Sequence, residues 1–134
     1  MGYCMEVLDI DFFIAAKDKA AAFSYIQHVL VNLAELKRVD FDWVNSDGMR
    51  ESTTLEEMLK VWRWDPLLDK KGNIHFLDFT GEKFGDDNVL FRHLAPFVKA
   101  GSYIAMIGED NAIWRWYFDG SECIEQEGRV EFDV

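Results

Sequence analysis

Residues 102–127 read SYIAMIGEDNAIWRWYFDGSECIEQE, and the reading of this stretch decides the fold. Residues 102–107 are a strand. Gly108, Glu109, Asp110 and Asn111 turn the chain. Residues 112–118 are a second strand, with Trp114, Trp116 and Phe118 on one face and Ile113, Arg115 and Tyr117 on the other, because successive side chains of a strand point to opposite sides. Asp119-Gly120 is the strongest hairpin signal in the chain. Residues 122–127 return, and Gly128 breaks them. Val130, Phe132 and Val134 then read as a last alternating strand, with Glu131 and Asp133 on its polar face.

Working outward, residues 5–14 read as a strand with Leu8, Ile10, Phe12 and Ile14 on one face and Asp9 and Asp11 on the other. Residues 17–36 have helical spacing at Phe23, Ile26, Leu30 and Leu33, widened by Ala22, Tyr25 and Val29. Phe41 and Trp43 alternate with Asp40 and Asp42, which suits a short strand, and Asp47-Gly48 is a turn signal. Thr53 and Thr54 match the capping box with Glu56 and Glu57 in two registers. Leu55, Met58, Leu59 and Trp62 then make a short amphipathic helix. Residues 64–68 and 74–80 are read as a hairpin around residues 69–73, and Pro66 confines its first strand to an edge. Asp86 and Asp87 can cap the next helix, which carries Leu90, Phe91, Leu94, Phe97 and Val98. Pro96 tightens its last turn and Gly101 ends it. The expected architecture is α+β, a largely antiparallel sheet of about five to seven strands with two or three helices packed on one face. Residues 1–134 are read as a single domain, with no repeat and no interdomain linker.

The composition narrows function by exclusion. Of 134 residues, 49% are hydrophobic and 29% charged, which supports both a core and solubility. Asp and Glu number 25 against 14 Lys and Arg, a formal charge of −11. That balance argues against direct nucleic-acid binding, which needs clustered Lys and Arg. No apolar run approaches a bilayer span, so no membrane contact is expected. No secretory leader is read at the start, and a cytoplasmic location is expected. Cys4 and Cys123 are read as reduced thiols. Glu6 stands where a myristoylation signal wants Ser or Thr.

Chemistry is sparse. His28, His75 and His93 have no His or Cys at ligand spacing, so no metal site is expected. An EF-hand loop built on Gly48 fails at both ends, because Trp43 and Thr54 would occupy its first and last ligand positions. No segment resembles a nucleophile elbow. Gly81 and Gly85 make no phosphate cradle, because Asp86 and Asp87 would repel the anion. The expectation is a protein with no catalytic residues and no cofactor.

Two surface features remain. From residue 109 onward there are eight acids, Glu109, Asp110, Asp119, Glu122, Glu125, Glu127, Glu131 and Asp133, against Arg115 and Arg129. Their alternation places several on the wet face of the sheet, with Asp9 and Asp11 able to join them. Such a face either serves solubility or draws in a basic partner. The second feature is aromatic: Trp62 and Trp64 flank Arg63, and Trp114 and Trp116 flank Arg115. Core packing explains the tryptophans. Arg115 and Tyr117 share the opposite face and are the candidate hot spot.

Gly101, Ser102, Tyr103 and Ile104, with Gly108, Glu109 and Asp110 and residues 113–120, resemble small acidic proteins of unknown function from bacteria and their phages. The resemblance covers the C-terminal third and implies a bacterial or mobile-element setting. It carries no activity.

The expected function is a non-catalytic acidic binding protein, an inhibitor or immunity-type antagonist of a basic, nucleic-acid-binding bacterial protein. The acidic surface expected to meet that partner is Glu109, Asp110, Glu122, Glu125, Glu127, Glu131 and Asp133. One alternative is a small-ligand binding or sequestering protein, with Trp62, Trp64, Trp114 and Trp116 lining a pocket and Arg63 or Arg115 as anion contact. Another is a structural subunit whose acidity serves solubility.

Overall fold

The computed structural model describes residues 2–37 and 40–132. The chain is α+β. A four-stranded antiparallel sheet has the order β1-β4-β5-β6, where β1 is Met5–Asp11, β4 Tyr103–Gly108, β5 Ile113–Phe118 and β6 Cys123–Glu127. A separate antiparallel hairpin joins β2, Trp64–Leu68, to β3, Ile74–Phe79. The helices are α1, Lys19–Lys37, α2, Ser46–Glu51, α3, Leu55–Val61, and α4, Asp87–Leu94. Two short 3-10 turns, Ala16–Asp18 and Ala95–Phe97, lead into α1 and out of α4.

The strands of the described residues therefore divide between two sheets instead of forming the one sheet expected from the sequence. The hairpin touches the N-terminal strand's extension through a lone bridge between Ile14 and Ile74. One bridge closes no ladder, so the sheets stay distinct.

Local chemistry explains the elements. Asn45 caps α2 by accepting from the backbone N–H groups of Asp47 and Gly48. The segment read as a turn is thus the first turn of a helix. Thr54 caps α3 by accepting from Glu57 N–H at 3.1 Å, which selects one of the two capping registers. The Glu57 carboxylate takes the Thr53 hydroxyl at 2.7 Å instead of reaching back to the cap. The strand expected at residues 41–43 does not form: Trp43 has φ +64, which no strand accommodates. Gln27 of α1 donates its side-chain amide to the carbonyls of Met49 at 3.0 Å and Ser52 at 2.9 Å, satisfying the end of α2.

The core lies between the helices and one face of the four-stranded sheet. Helix α1 buries Ala22, Ile26, Leu30 and Ala34, a stripe at four-residue spacing. The alanines narrow that stripe, and Phe23 and Leu33 pack at its margins. Phe91 of α4 sits 4.9 Å from Trp116 and 5.2 Å from Trp64, ring centre to ring centre. Truncating such a buried ring typically costs about 3–5 kcal/mol. Trp62, Trp64 and Trp116 are all buried, as the packing reading of the tryptophans expects.

Strand β1 carries a bulge between Val7 and Asp9. The extra residue is Leu8, left 54% exposed instead of buried beside Ile10. A bulge shifts side-chain parity by one, so Met5 and Val7 face the core before it and Ile10 and Phe12 after it. The last strand expected from the sequence is absent from residues 130–132, where Val130 and Phe132 are exposed. Gly128 N–H donates to Ile113 C=O at 2.9 Å, and no strand bond follows it in the described residues. Asp133 and Val134 lie outside those residues.

Candidate functional site

Among the described residues no helix covers the second face of the four-stranded sheet. Tyr103, Ala105 and Ile107 of β4 share it with Ile113, Arg115 and Tyr117 of β5, as the ladder pairs Tyr103 with Tyr117, Ala105 with Arg115 and Ile107 with Ile113. Glu6, Asp9 and Asp11 extend it on β1, and Ile124 and Gln126 on β6. At its centre the Arg115 guanidinium lies 5.6 Å from the Tyr103 ring and 5.2 Å from the Tyr117 ring. Its Nε donates to Oε1 of the Gln126 side-chain amide at 2.6 Å. The Tyr103 hydroxyl donates to Asp9 at 2.8 Å, which raises the phenol above its ordinary pKa. Arg115 and Tyr117 are therefore neighbours on an open surface, with the arginine beside two paired rings.

The charges follow the strand order. Strand β4 has no charged residue and β5 has only Arg115, whereas the edge strands carry Glu6, Asp9 and Asp11 on β1 and Glu125 and Glu127 on β6. The two β6 acids do not share the open face with Arg115. Glu125 pairs with Trp116 and Glu127 with Trp114, so both lie on the tryptophan side, at the sheet's margin. The cause is the turn. It sets Phe118 opposite Cys123, which puts even-numbered residues of β5 opposite odd-numbered residues of β6.

The other predicted acids scatter. Glu109 accepts from Cys4 N–H at 3.0 Å. Asp110 accepts from the Tyr3 hydroxyl and from Ala112 N–H, and these bonds hold its carboxyl below its ordinary pKa. Both sit in the β4–β5 turn and tie the N-terminal segment to it. Glu122 is exposed in the next turn, where Asp119 accepts the backbone N–H groups of Ser121 and Glu122. Glu131 pairs with Arg129 at 2.7 Å on the surface. The structure brings Glu125 and Glu127 together on β6 and sets Glu109 and Asp110 in the β4–β5 turn, Asp110 against Tyr3.

Beside the β6 margin is a cleft of about 790 Å³. Tyr3, Phe84 and Trp114 supply its aromatic lining, and Glu125, Glu127 and Gly128 line it beside them, Glu127 directly across the ladder from Trp114. Phe84 meets Trp114 edge to face at 5.7 Å, and Tyr3 lies 6.3 Å from Trp114. The ligand pocket expected from four tryptophans does not form, because three of them fill the core.

Asp87 went unrecognised in the sequence as anything but a helix-terminal charge. It is fully buried. Its carboxylate accepts from Trp64 Nε1 at 3.0 Å, Gly85 N–H at 3.0 Å and Arg63 Nη2 at 3.1 Å. Arg63 also donates to Lys83 C=O at 2.7 Å. A Cβ at Gly81 or Gly85 would stand 2.9 Å from the Arg63 guanidinium, so these glycines make room for the arginine. Asp86 accepts from Asp42 N–H at 2.7 Å and makes no side-chain cap. No sequence pattern marks this hub, because its partners are 23 and 24 residues apart.

The histidines and cysteines assemble nothing. Among the described residues no group of three or more His, Cys, Asp or Glu could hold a metal ion. His93 Nδ1 lies 2.8 Å from Val89 C=O, and His28 Nε2 lies 3.2 Å from Asn32 Nδ2. Both cysteines are free thiols. Lys83 Nζ is 2.9 Å from Cys4 Sγ. Burial pushes the Cys123 thiol up to about 12, with Glu125 adding to the effect.

Comparison with family models, curated proteins and solved structures finds no match for this chain.

Proposed function

We propose that the chain is a non-catalytic binding protein that antagonises a basic, nucleic-acid-binding bacterial protein through the open face of its four-stranded sheet. The observation that carries this reading is the charge order of that face: Glu6, Asp9 and Asp11 of the β1 edge strand stand beside an aromatic centre with a single arginine. A negative margin draws a basic protein in and sets its orientation. Tyr103, Arg115 and Tyr117 supply the residue types that dominate interface energy. Leu8 and Ile124, 54% and 41% exposed, add apolar area beside them. An inhibitor or an immunity protein needs such a surface and no reacting group.

The test is a pull-down from bacterial lysate at low and high salt, using the full chain and a Glu6→Lys/Asp11→Lys/Glu122→Lys variant. These three side chains are exposed and make no hydrogen bond among the described residues, so the fold is retained. A basic protein held at low salt, released at high salt and lost with the variant supports the reading. Equal capture by the variant overturns it. A second reading, small-ligand binding, has the cleft beside Trp114 in its favour.

A further inference from the structure

We infer that the cleft between Trp114 and β6 is a receptor for one cationic side chain, an arginine guanidinium or lysine ammonium, presented by the basic partner. The inference rests on the proposed function and specifies a contact within it. Three features of the cleft converge on a cation.

The first is the wall. Tyr3, Phe84 and Trp114 cluster along it. Aromatic ring faces carry negative potential, and tryptophan is the strongest of them for a cation. The second is the pair of carboxylates beside it. Glu125 and Glu127 line the same cleft, and among the described residues neither carboxylate has an ion pair or a side-chain hydrogen bond. Two carboxylates without a cationic partner, set beside aromatic rings, repel anions and favour positive charge. A cation meets the rings and the carboxylates at once. The third is length: Ala112 and Ile113 line the approach, giving apolar surface for the aliphatic stem of Lys or Arg.

The source of the cation follows from continuity. A second depression, on the Leu8, Ala105 and Arg115 side of the sheet, shares Ile113, Trp114, Glu127 and Gly128 with the cleft. The cleft therefore opens onto the rim of the face assigned to the partner. A protein seated on that face can extend a side chain around the β6 margin. A free metabolite would have no use for that continuity.

The test is a titration of the labelled full chain followed by ¹H–¹⁵N correlation spectra, reading the Trp114 indole and Gly128 amide signals. The probes are N-acetyl-arginine methylamide, its uncharged citrulline counterpart and an arginine-rich peptide. The expected result is saturable movement of both signals with the arginine probe and none with citrulline. Glu125→Gln/Glu127→Gln should weaken binding about tenfold or more, as expected when a charge loses both carboxylates. The peptide should bind more tightly than the free probe at the same two signals. Still signals, or equal movement with citrulline, would overturn the cation receptor. Equal affinity of peptide and free probe would overturn its assignment to a partner's side chain. The surface carboxylates changed in the pull-down, Glu6, Asp11 and Glu122, lie outside the cleft. A basic protein lost with that variant while the cleft signals stay still would therefore sink the cleft alone and leave the sheet face standing.

Discussion

Asp87 and Trp64 meet at 3.0 Å, carboxylate oxygen to indole N–H, and both residues are fully buried. The pair anchors the start of α4 to the start of β2. Burial is the largest influence on Asp87 and raises its pKa above the ordinary carboxylate value, while the Trp64 bond and the Arg63 charge pull the other way. Asp87→Ala would leave Arg63 and the indole N–H without their acceptor. The expected loss is about 3–5 kcal/mol in chemical denaturation, typical of breaking one half of a buried pair. A loss below about 1 kcal/mol would show the hub to be idle. Asp87→Asn tests the titration. A raised folded-state pKa means the folded chain keeps a proton the unfolded chain has released, so the contribution of Asp87 falls as pH climbs above the ordinary carboxylate range. The advantage of the natural chain over Asp87→Asn should be largest in acid and shrink toward neutrality. An advantage that grows with pH would mean that Arg63 outweighs burial.

Cys123 offers a simpler readout. Its thiol is pushed up to about 12 by burial first and by Glu125 second, with Arg92 opposing. An unfolded thiol titrates near 8.5. Only the thiolate attacks a labelling reagent, so at mildly alkaline pH the folded thiol should react about a thousandfold more slowly than the unfolded one. In a Cys4→Ser background, labelling should await denaturant. Cys123 is partly exposed, so prompt labelling of the native chain would mean that its surroundings do not hold the thiol protonated. Above the ordinary thiol range the same shift destabilises the fold, because the unfolded chain releases a proton that the folded chain keeps.

The C-terminal sheet was legible because its signals are local. Alternation over residues 113–118 puts Trp116 and Phe118 inside and Arg115 outside, as expected, and Asp119-Gly120 marks the turn. The shared face of Arg115 and Tyr117 follows from the same alternation. The faces of Glu125 and Glu127 were misread because parity across a hairpin depends on turn length, which alternation within one strand does not contain. Leu8 was misread for a related reason: a bulge is a relation between two strands, and β1 meets its partner only through residues near 105. Val130 and Phe132 alternate well, yet alternation without a neighbouring strand buries nothing. Asp87 was beyond reach, since its meaning lies in Arg63 and Trp64, which only the tertiary fold delivers.

Gly108 joins the fold to the cleft. A Cβ built on it would fall within the hydroxyl and ring of Tyr3, which crosses the end of β4 at that point. Its φ is not positive, so the glycine is required by space and not by backbone conformation. Gly108→Ala should therefore leave the strand and displace Tyr3. The Tyr3 phenol titrates above its ordinary value, chiefly through its hydrogen bond to Asp110 and secondarily through burial. Displacement breaks that bond, so the phenol should return toward the ordinary tyrosine value. Tyr103 also titrates late, held by Asp9, and should not move. Alkaline absorbance titration separates the two when Tyr3→Phe is run as the reference that deletes the Tyr3 component. The Gly108→Ala curve should show that component at lower pH, with the Tyr103 component unchanged. Because Tyr3 is also one wall of the cleft, the same substitution should weaken the arginine probe while leaving the Arg115 face intact. An unmoved Tyr3 titration would mean that the side chain does not lie over Gly108, and the aromatic wall would lose one of its three rings.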